Sequence, residues 1–513
     1  MCLVAAVLGC IGACSDSRPE FQTLVVGRAA DALTLDPALV SDSESVEVCE
    51  QVFEHLLRFR KGGLEVEPAL AESWQASPSG KEWIFRLRRN VRFHDDTPFD
   101  ADAVVFSFRR QHVVDEERGG ASSYHDSTFR NLRRVEKIDD YTVRIVIERP
   151  SASFLPDLAL FTASIVSPQA VARLGGDFGH HPVGTGPFRF VEWSPGERIT
   201  LEANRTYWGA APHIDHLVFS HIPDPRQRLV ALEGGAIDVA EGLEPEDLQF
   251  VALHPELRTE KILGNNVTYL AMNTEHPPFN DLRVRRAINH AVNRQPIVKL
   301  IYQGLAQPAS GPLAPTFSGA AGQAAYAYDP ALARRLLAEA KYDTHLRPKL
   351  YVLATPRPFL PEPERLGRLL ASHLRAVGIE VELVFKPISE FPRAIANGDH
   401  DLALGGWIGD SGEPSDFLYV LFDSDNAQRG TATNAAFFRD PRLHGLLLQA
   451  DETSDTELRT GLYAETLHLI HDQAPWTPLV HAEMVVAERS RVRELDVSPA
   501  ATLYFREVRI DEP

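Results

Sequence analysis

The sequence predicts an α/β protein built from more than one compact unit. Three observations carry this. The chain has 513 residues, and single cores stop growing at about 250–300 residues. Alternating strand-like runs and helix-spaced apolar residues succeed one another along most of its length. Residues 349–404 read strand, helix, strand, helix, strand, an order that parallel strands with right-handed crossovers satisfy.

The elements follow in chain order. Thr23 to Gly27 reads as a short strand, and Val48-Cys49, Val52-Phe53 and Leu56-Leu57 then recur at helical spacing. Trp83 to Phe93 alternates as a strand, with Arg86, Arg88, Arg89 and Arg92 on its wet face. Asp100-Ala101-Asp102 has the chemistry of a helix cap ahead of Val104-Val105-Phe106-Ser107-Phe108. Tyr141 to Ile147 alternates again and stops before Pro150. Gly184-Thr185-Gly186-Pro187 reads as a turn between flanking segments, with strands near 188–193 and 198–203. Its GxG lacks the lysine and the following helix of a phosphate loop.

Residues 282–304 read as one helix, with Val284, Ala287, Ile288, Ala291 and Val292 on one face and Arg283, Arg285 and Arg286 on another. Residues 305–330 are rich in Gly, Ala and Pro and read as a surface loop. Leu350 to Thr355 is a buried-strand run, followed by a rigid turn at Pro358, Pro361 and Pro363. Leu366, Leu369, Leu370, Leu374 and Val377 fall at helical spacing, and Gly378 supplies the stop. Ile379 to Phe385 alternates, Phe391 to Asn397 forms a short helix, and Asp401 to Leu404 is a third short strand.

Apolar content of 44% and charged content of 24% are those of a soluble globular protein. The formal net charge of -19 argues against nucleic acid and anionic lipid as partners. Leu3 to Gly12 is an apolar run of about ten residues, the size of a signal-peptide core and too short to span a bilayer. It leads into Ile11-Gly12-Ala13-Cys14-Ser15, a lipobox-like sequence, with Val7-Leu8-Gly9-Cys10 as an alternative. Residues 1–14 are therefore expected to be a lipoprotein leader, lipidated at Cys14 or Cys10, with the true start upstream because no Lys or Arg precedes the apolar run. Of the four cysteines, at positions 2, 10, 14 and 49, three lie in the leader, so Cys49 is expected to be a buried small hydrophobe and no disulfide is available.

Ligands of open parallel sheets bind at the carboxyl ends of the strands. The loop after the first strand of the repeat carries Arg357, and the loop after the third carries Trp407 and Asp410. Adjacent strands would bring a cation and an anion into one crevice beside an aromatic ring, which suits a zwitterion with charges on a short backbone. Without ligand, the two charges are expected to pair with each other or with water. The spacing leaves a structural surface ion pair equally open.

The chain resembles the family-5 solute-binding proteins of bacterial ABC importers, in particular their dipeptide-binding members. The resemblance runs over nearly the whole mature chain. It is carried by Glu67-Pro68-Ala69-Leu70-Ala71-Glu72-Ser73-Trp74, Phe93-His94-Asp95-Asp96-Thr97-Pro98-Phe99, Ala103-Val104-Val105-Phe106-Ser107, Pro182-Val183-Gly184-Thr185-Gly186-Pro187-Phe188, Tyr207-Trp208-Gly209, Val284-Arg285-Arg286-Ala287-Ile288 and Gly406-Trp407-Ile408-Gly409-Asp410. It implies that Asp410, three residues after Trp407, holds a peptide α-amino group. It also implies that the Arg357-Pro358 pair, fifty residues before Trp407, holds the α-carboxylate. The same resemblance places Gly406, Trp407, Phe359 and the early loop Ser41, Asp42, Ser43 against the ligand. Phe359 stands where a tyrosine is common, so a hydroxyl is lost.

The implied architecture is two-lobed, a type II periplasmic-binding-protein trap with an extra α+β subdomain. Lobe one would comprise residues 22–264 and 483–513, with the subdomain at about 56–185, and lobe two residues 267–480. The implied function is non-enzymatic: capture of short peptides, dipeptides above all, and delivery to an inner-membrane permease and ATPase. No cofactor is implied. The protein would be a monomer, lipid-anchored in the periplasm or on the outer face of the cytoplasmic membrane. Longer oligopeptides, glutathione, haem and nickel complexes are the alternative ligands.

Competing chemistries find little support. His180, His181, His213, His216 and His221 match no metal pattern, and neither HExxH nor CxxC occurs. His94-Asp95-Asp96 has the composition of a base and its orienter but falls in a scaffold turn of the family. A peptide hydrolase of the esterase type would need G-x-S-x-G, which is absent.

Overall fold

A computed structural model describes residues 22–40, 42–117, 129, 131–317, 319–320, 325–453 and 455–511. Its backbone is one twelve-stranded sheet that divides into two halves. In chain order the strands are β1 (Thr23–Arg28), β2 (Phe188–Ser194), β3 (Arg198–Ala203), β4 (His216–His221), β5 (Val239–Ala240), β6 (Leu257–Leu263), β7 (Asn266–Met272), β8 (Ala306–Pro308), β9 (Lys349–Leu353), β10 (Glu382–Lys386), β11 (Leu402–Ile408) and β12 (Trp476–Arg489). The spatial order is β10-β9-β11-β7-β12-β5-β1-β4-β3-β2, with β6 and β8 also paired to β12.

Two long segments cross from one half to the other. The first part of β12 pairs with β7 (Ala271 opposite Trp476), and the second part pairs with β6 (Leu257 opposite Arg489). Between β6 and β7 lies Gly264, where a Cβ would meet Asn266 Nδ2 at 2.0 Å and Ala482 O at 2.9 Å. Only glycine lets the two strands pass so closely. Asn266 fixes the crossing, donating from Nδ2 to Ala482 O (2.9 Å) and accepting from Ala482 N (2.8 Å).

Each half has its own core. In the second lobe one face of the sheet buries Leu270, Leu350, Val352, Leu402 and Leu404 under Leu366, Leu370 and Leu374. The opposite face buries Tyr269, Ala403, Phe417 and Trp476. All seven residues of β7 are buried, as expected of a central strand covered on both sides. In the first lobe Leu24, Val26, Leu201 and Leu217 pack with Leu503, Phe505 and Val508 from the C-terminal segment. A separate four-stranded sheet, Ala71–Ala76, Glu82–Leu87, Thr142–Ile147 and Leu132–Asp139, packs with the helix Ala101–Glu117 around Phe85, Val143 and Phe108 as a subdomain core. The molecule is thus a two-lobed α/β protein with an extra α+β subdomain.

The expected repeat is present: β9, β10 and β11 are joined by the helices Pro363–Arg375 and Phe391–Ala396, and β9 pairs parallel with both β10 and β11. Several readings of the sequence are corrected. The strand expected over Trp83 to Phe93 ends at Leu87, and the helical spacing that continues to Leu56-Leu57 stops at Val52, with Leu57 opening a strand. The helix expected over 282–304 is two helices, Leu282–Ala291 and Arg294–Leu300, because Val292 is extended and Asn293 caps the second through Gln295 N. The loop of 305–330 contributes β8, which pairs with β12. The third strand runs to Ile408, because β7 pairs antiparallel along its full length.

The scattered motifs turn out to be one junction. Glu54 accepts from Thr185 Oγ1 (2.9 Å), Tyr207 OH (2.7 Å) and Trp208 Nε1 (2.7 Å). His94 Nε2 bonds Gly186 O at 3.0 Å, while Asp95 accepts from Thr97 and Ser167, so His94 and Asp95 serve the scaffold. Cys49 is a buried free thiol whose pKa burial pushes well up.

Candidate functional site

The site grows from the carboxyl ends of β9 and β11. After β9 the chain makes a tight turn in which Arg357 N donates to Leu360 O (3.0 Å) and Leu360 N to Arg357 O (2.8 Å). Phe359 is pulled inward, 6% exposed. Its carbonyl accepts from Thr268 Oγ1 (2.6 Å) and Tyr302 OH (2.8 Å). Its ring lies on Gly406, where a Cβ would meet the ring at 2.5 Å. Gly406 therefore makes room for Phe359, and Phe359 holds up the turn. The Arg357 side chain has no hydrogen bond or ion pair among the described residues, and the residue is left half-buried.

After β11 the chain is clamped by Asn265, which is 1% exposed. Its Nδ2 donates to Gly409 O (2.9 Å) and Ser411 O (2.7 Å), the two carbonyls flanking Asp410, and Gly409 N donates back to Asn265 O (2.8 Å). Behind this loop Asp416, near the start of the helix Ser415–Phe422, accepts Ser411 N at 3.1 Å and a second backbone bond from Asp410. The Asp410 side chain has no hydrogen-bond or ion-pair partner among the described residues. Desolvation first, and the neighbouring Asp416 second, push its pKa up to about 7. Asp416 is pushed up to about 6 by desolvation, against the pull of its hydrogen bonds. The Trp407 indole N–H is buried and lies against Asp416, whose pKa it helps to hold down.

The structure thus brings Arg357, Phe359, Gly406, Trp407 and Asp410 to one end of the second-lobe sheet, with one correction. Gly406 and Trp407 lie within β11, opposite Thr268 and Val267, and not in the loop beyond it. Arg357 and Asp410 do not pair, and Arg357 is not among the charges acting on Asp410. The cause is the turn at Phe359, which packs with the core on one face of the sheet while Trp407 packs on the other. Of the early loop, Asp42 caps the helix Ser43–Val52 through Ser45 N (2.8 Å), and its Oδ2 is buried with no partner among the described residues. Ser43 is exposed at the start of that helix. Ser41, Cys10 and Cys14 lie outside the described residues.

Three residues of the site escaped the sequence reading: Asn265, Asp416 and Thr268. The pair Asn265-Asn266 after Gly264, set between two apolar strands, is the one signal that could have exposed the first. The lobes touch beside this loop. Ala152 N donates to Asp451 O (2.9 Å), Ser151 Oγ donates to Asp451 Oδ1 (3.0 Å), and a Cβ on Gly412 would lie 3.0 Å from Leu64 Cβ. Elsewhere Asp423, Asp425 and His444 approach as metal ligands do. Asp423 already caps a turn at Asp425 N and bonds His444, and Asp425 accepts from Tyr419 OH.

Residues 65–429 match the bacterial extracellular solute-binding proteins, family 5. The chain belongs to this family. Family-5 relatives resemble it end to end. A heme-binding protein A of Haemophilus influenzae is 33% identical over 96% of this chain and 92% of its own length. The dipeptide-binding protein of Escherichia coli is 32% identical over 96% and 95%. Among solved structures, the ABC transporter-associated periplasmic binding protein DppA from Helicobacter pylori, in complex with the peptide STSA, superposes with a TM-score of 0.84 at 31% identity, covering 96% of this chain and 98% of that one. Family-5 proteins bind solutes, and this chain is a binding protein and not an enzyme. No helix among the described residues is long and apolar enough to cross a membrane.

Proposed function

We propose that this protein captures short peptides, dipeptides foremost, by their two charged ends and delivers them to an ABC permease and its ATPase in the inner membrane. One observation carries the reading: the side chains of an anion, Asp410, and a cation, Arg357, each without a partner among the described residues, stand at the carboxyl ends of neighbouring parallel strands, held apart by packed backbone. Two opposite charges that do not neutralise each other suit a ligand with an ammonium at one end and a carboxylate at the other. Burying either charge unpaired is costly, and a zwitterion of the right length relieves both at once.

In this reading Asp410 takes the α-amino group and Arg357 the α-carboxylate. Trp407 offers its indole N–H, and Ser41, Asp42 and Ser43 meet the ligand backbone from the first lobe. The lobes, 22–264 with 483–513 and 267–480, close about the crossings at Gly264 and Ala482. The protein acts as a monomer, tethered through Cys14 or Cys10 on the periplasmic side of the inner membrane.

Titration calorimetry on refolded, ligand-stripped protein tests this. Alanyl-alanine, its N-acetyl form, its C-terminal amide, the tetrapeptide Ser-Thr-Ser-Ala, glutathione, haem and a nickel–histidine complex are compared. The free dipeptide is expected to bind, and blocking either end to weaken it by about tenfold or more. A dipeptide amide as tight as the free acid removes Arg357 and returns longer peptides. Response to haem, glutathione or nickel alone keeps the family and overturns the peptide.

A further inference from the structure

Asn265 stands where both lobes and the Asp410 loop meet. It falls between β6, which ends at Leu263, and β7, which starts at Asn266, so it belongs to the joint of the first crossing segment. Its two neighbours are tied to the second crossing segment. Gly264 N donates to Ala482 O (3.1 Å), and the Asn266 amide exchanges two bonds with Ala482. Asn265 bonds in two other directions. Toward lobe two, Nδ2 donates to Gly409 O and Ser411 O, and the Asn265 carbonyl accepts Gly409 N. Toward lobe one, Asn265 N donates to Pro499 O at 2.8 Å.

Pro499 sits in the turn of the hairpin formed by Asp496–Val497 and Leu503–Tyr504. Gln51 fastens that hairpin to lobe one: its Nε2 donates to Leu503 O (2.9 Å) and its Oε1 accepts Phe505 N (3.3 Å). Gln51 lies on the helix Ser43–Val52, which Asp42 caps. A continuous run of hydrogen bonds and main chain therefore leads from Asp410 in lobe two, through Asn265, to Asp42 in lobe one.

The two sides of Asn265 are unequal. A hinge rotation is absorbed by the few residues at the ends of elements. Three bonds hold Asn265 to the Asp410 loop and one holds it to Pro499, so the Pro499 bond yields first when the lobes part. The side-chain amide cannot turn over, because its oxygen would then face the carbonyls of Gly409 and Ser411. As it stands, Oδ1 is buried with no hydrogen-bond partner among the described residues. An unmet buried acceptor costs free energy and calls for a reason; holding both carbonyls beside Asp410 supplies one.

We propose that Asn265 is a positioning residue that couples ligand capture to lobe closure: it sets the Asp410 loop, and its bond to Pro499 forms as the lobes close and breaks as they open. The proposal rests on Asp410 holding the α-amino group, because the ligand's grip reaches the joint through the two carbonyls that flank Asp410. Asn265 acts through Asp410 and not on the ligand.

Hydrogen exchange of the native protein, read by NMR with and without saturating alanyl-alanine, tests the hinge bond. Ligand is expected to slow exchange of the Asn265 amide about tenfold, and that of the Gly264 amide, which bonds Ala482 and not lobe one, by less than about twofold. Equal change at the two amides, or none at either, overturns the coupling and leaves the peptide clamp standing. Asn265→Ala keeps the main-chain bonds and deletes the Nδ2 clamp. By stopped flow it is expected to release alanyl-alanine about tenfold faster with its association rate unchanged. A variant that melts lower but keeps the native release rate gives Asn265 a structural role only and overturns the proposal. Should Asn265→Ala not fold, the comparison of the two amides decides by itself. Failure of the native protein to bind alanyl-alanine overturns both the peptide reading and the coupling.

Discussion

Glu54 and Asp410 are both carboxylates withdrawn from water, and burial raises the pKa of each. They differ in what surrounds them. Glu54 receives three donors, from Thr185, Tyr207 and Trp208, whose hydrogen bonds pull its pKa back down. Asp410 receives none among the described residues, and its nearest charged neighbour is another carboxylate. Desolvation by itself does not distinguish a structural acid from a ligand site. Bonding capacity left unmet does, because a folded chain satisfies its buried polar groups unless something else arrives to do so.

The comparison breaks most visibly at Glu54. Glu54→Ala leaves three donors without their acceptor, one of them on buried Thr185. Unfolding free energy is expected to fall by about 3 kcal/mol, read from the urea midpoint, while the folded fraction binds ligand as before. A loss of affinity without loss of stability would mean that the junction belongs to the site.

Asp410→Ala should do the reverse. It removes a desolvated carboxylate that no contact rewards, so ligand-free stability at neutral pH is expected to hold or rise. Dipeptide affinity is expected to fall by about 2 kcal/mol, more than tenfold. Calorimetry paired with thermal melting separates the two; unchanged affinity sinks the assignment of Asp410.

The legibility of these two acids in the sequence also differs. Asp410 could be found because it follows a strand of a regular parallel repeat, and the carboxyl ends of such strands are where ligands sit. Glu54 could not, since Thr185 and Trp208 lie 131 and 154 residues away, and no local pattern announces a long-range polar junction. The repeat itself was plain from periodicity, because each element buries one face. The break at Asn293 was not, since Ala291 and Val292 continue the apolar stripe and only the cap tells against it. The sequence placed Arg357 and Asp410 in one crevice but could not tell that Phe359 would fold onto Gly406 and keep the charges apart.

The smallest expected effect is also the most diagnostic of an unpartnered Asp410. Its folded pKa, near 7, lies above that of an exposed aspartate, so the empty site carries a proton through mildly acidic conditions and must release it to hold an ammonium. The ligand's own α-amino group loses its proton near about pH 7.8. Binding therefore needs one group deprotonated and the other protonated, and affinity should peak between the two values. From there it should fall about fivefold on acidification to about pH 6. Asp416 moves the acid limb to higher pH, because its charge resists ionisation of Asp410. In Asp410→Asn the acid limb should vanish while the basic limb, which belongs to the peptide, remains. An acid limb that survives in Asp410→Asn would assign the ammonium to another carboxylate, with Asp416 the next to be changed.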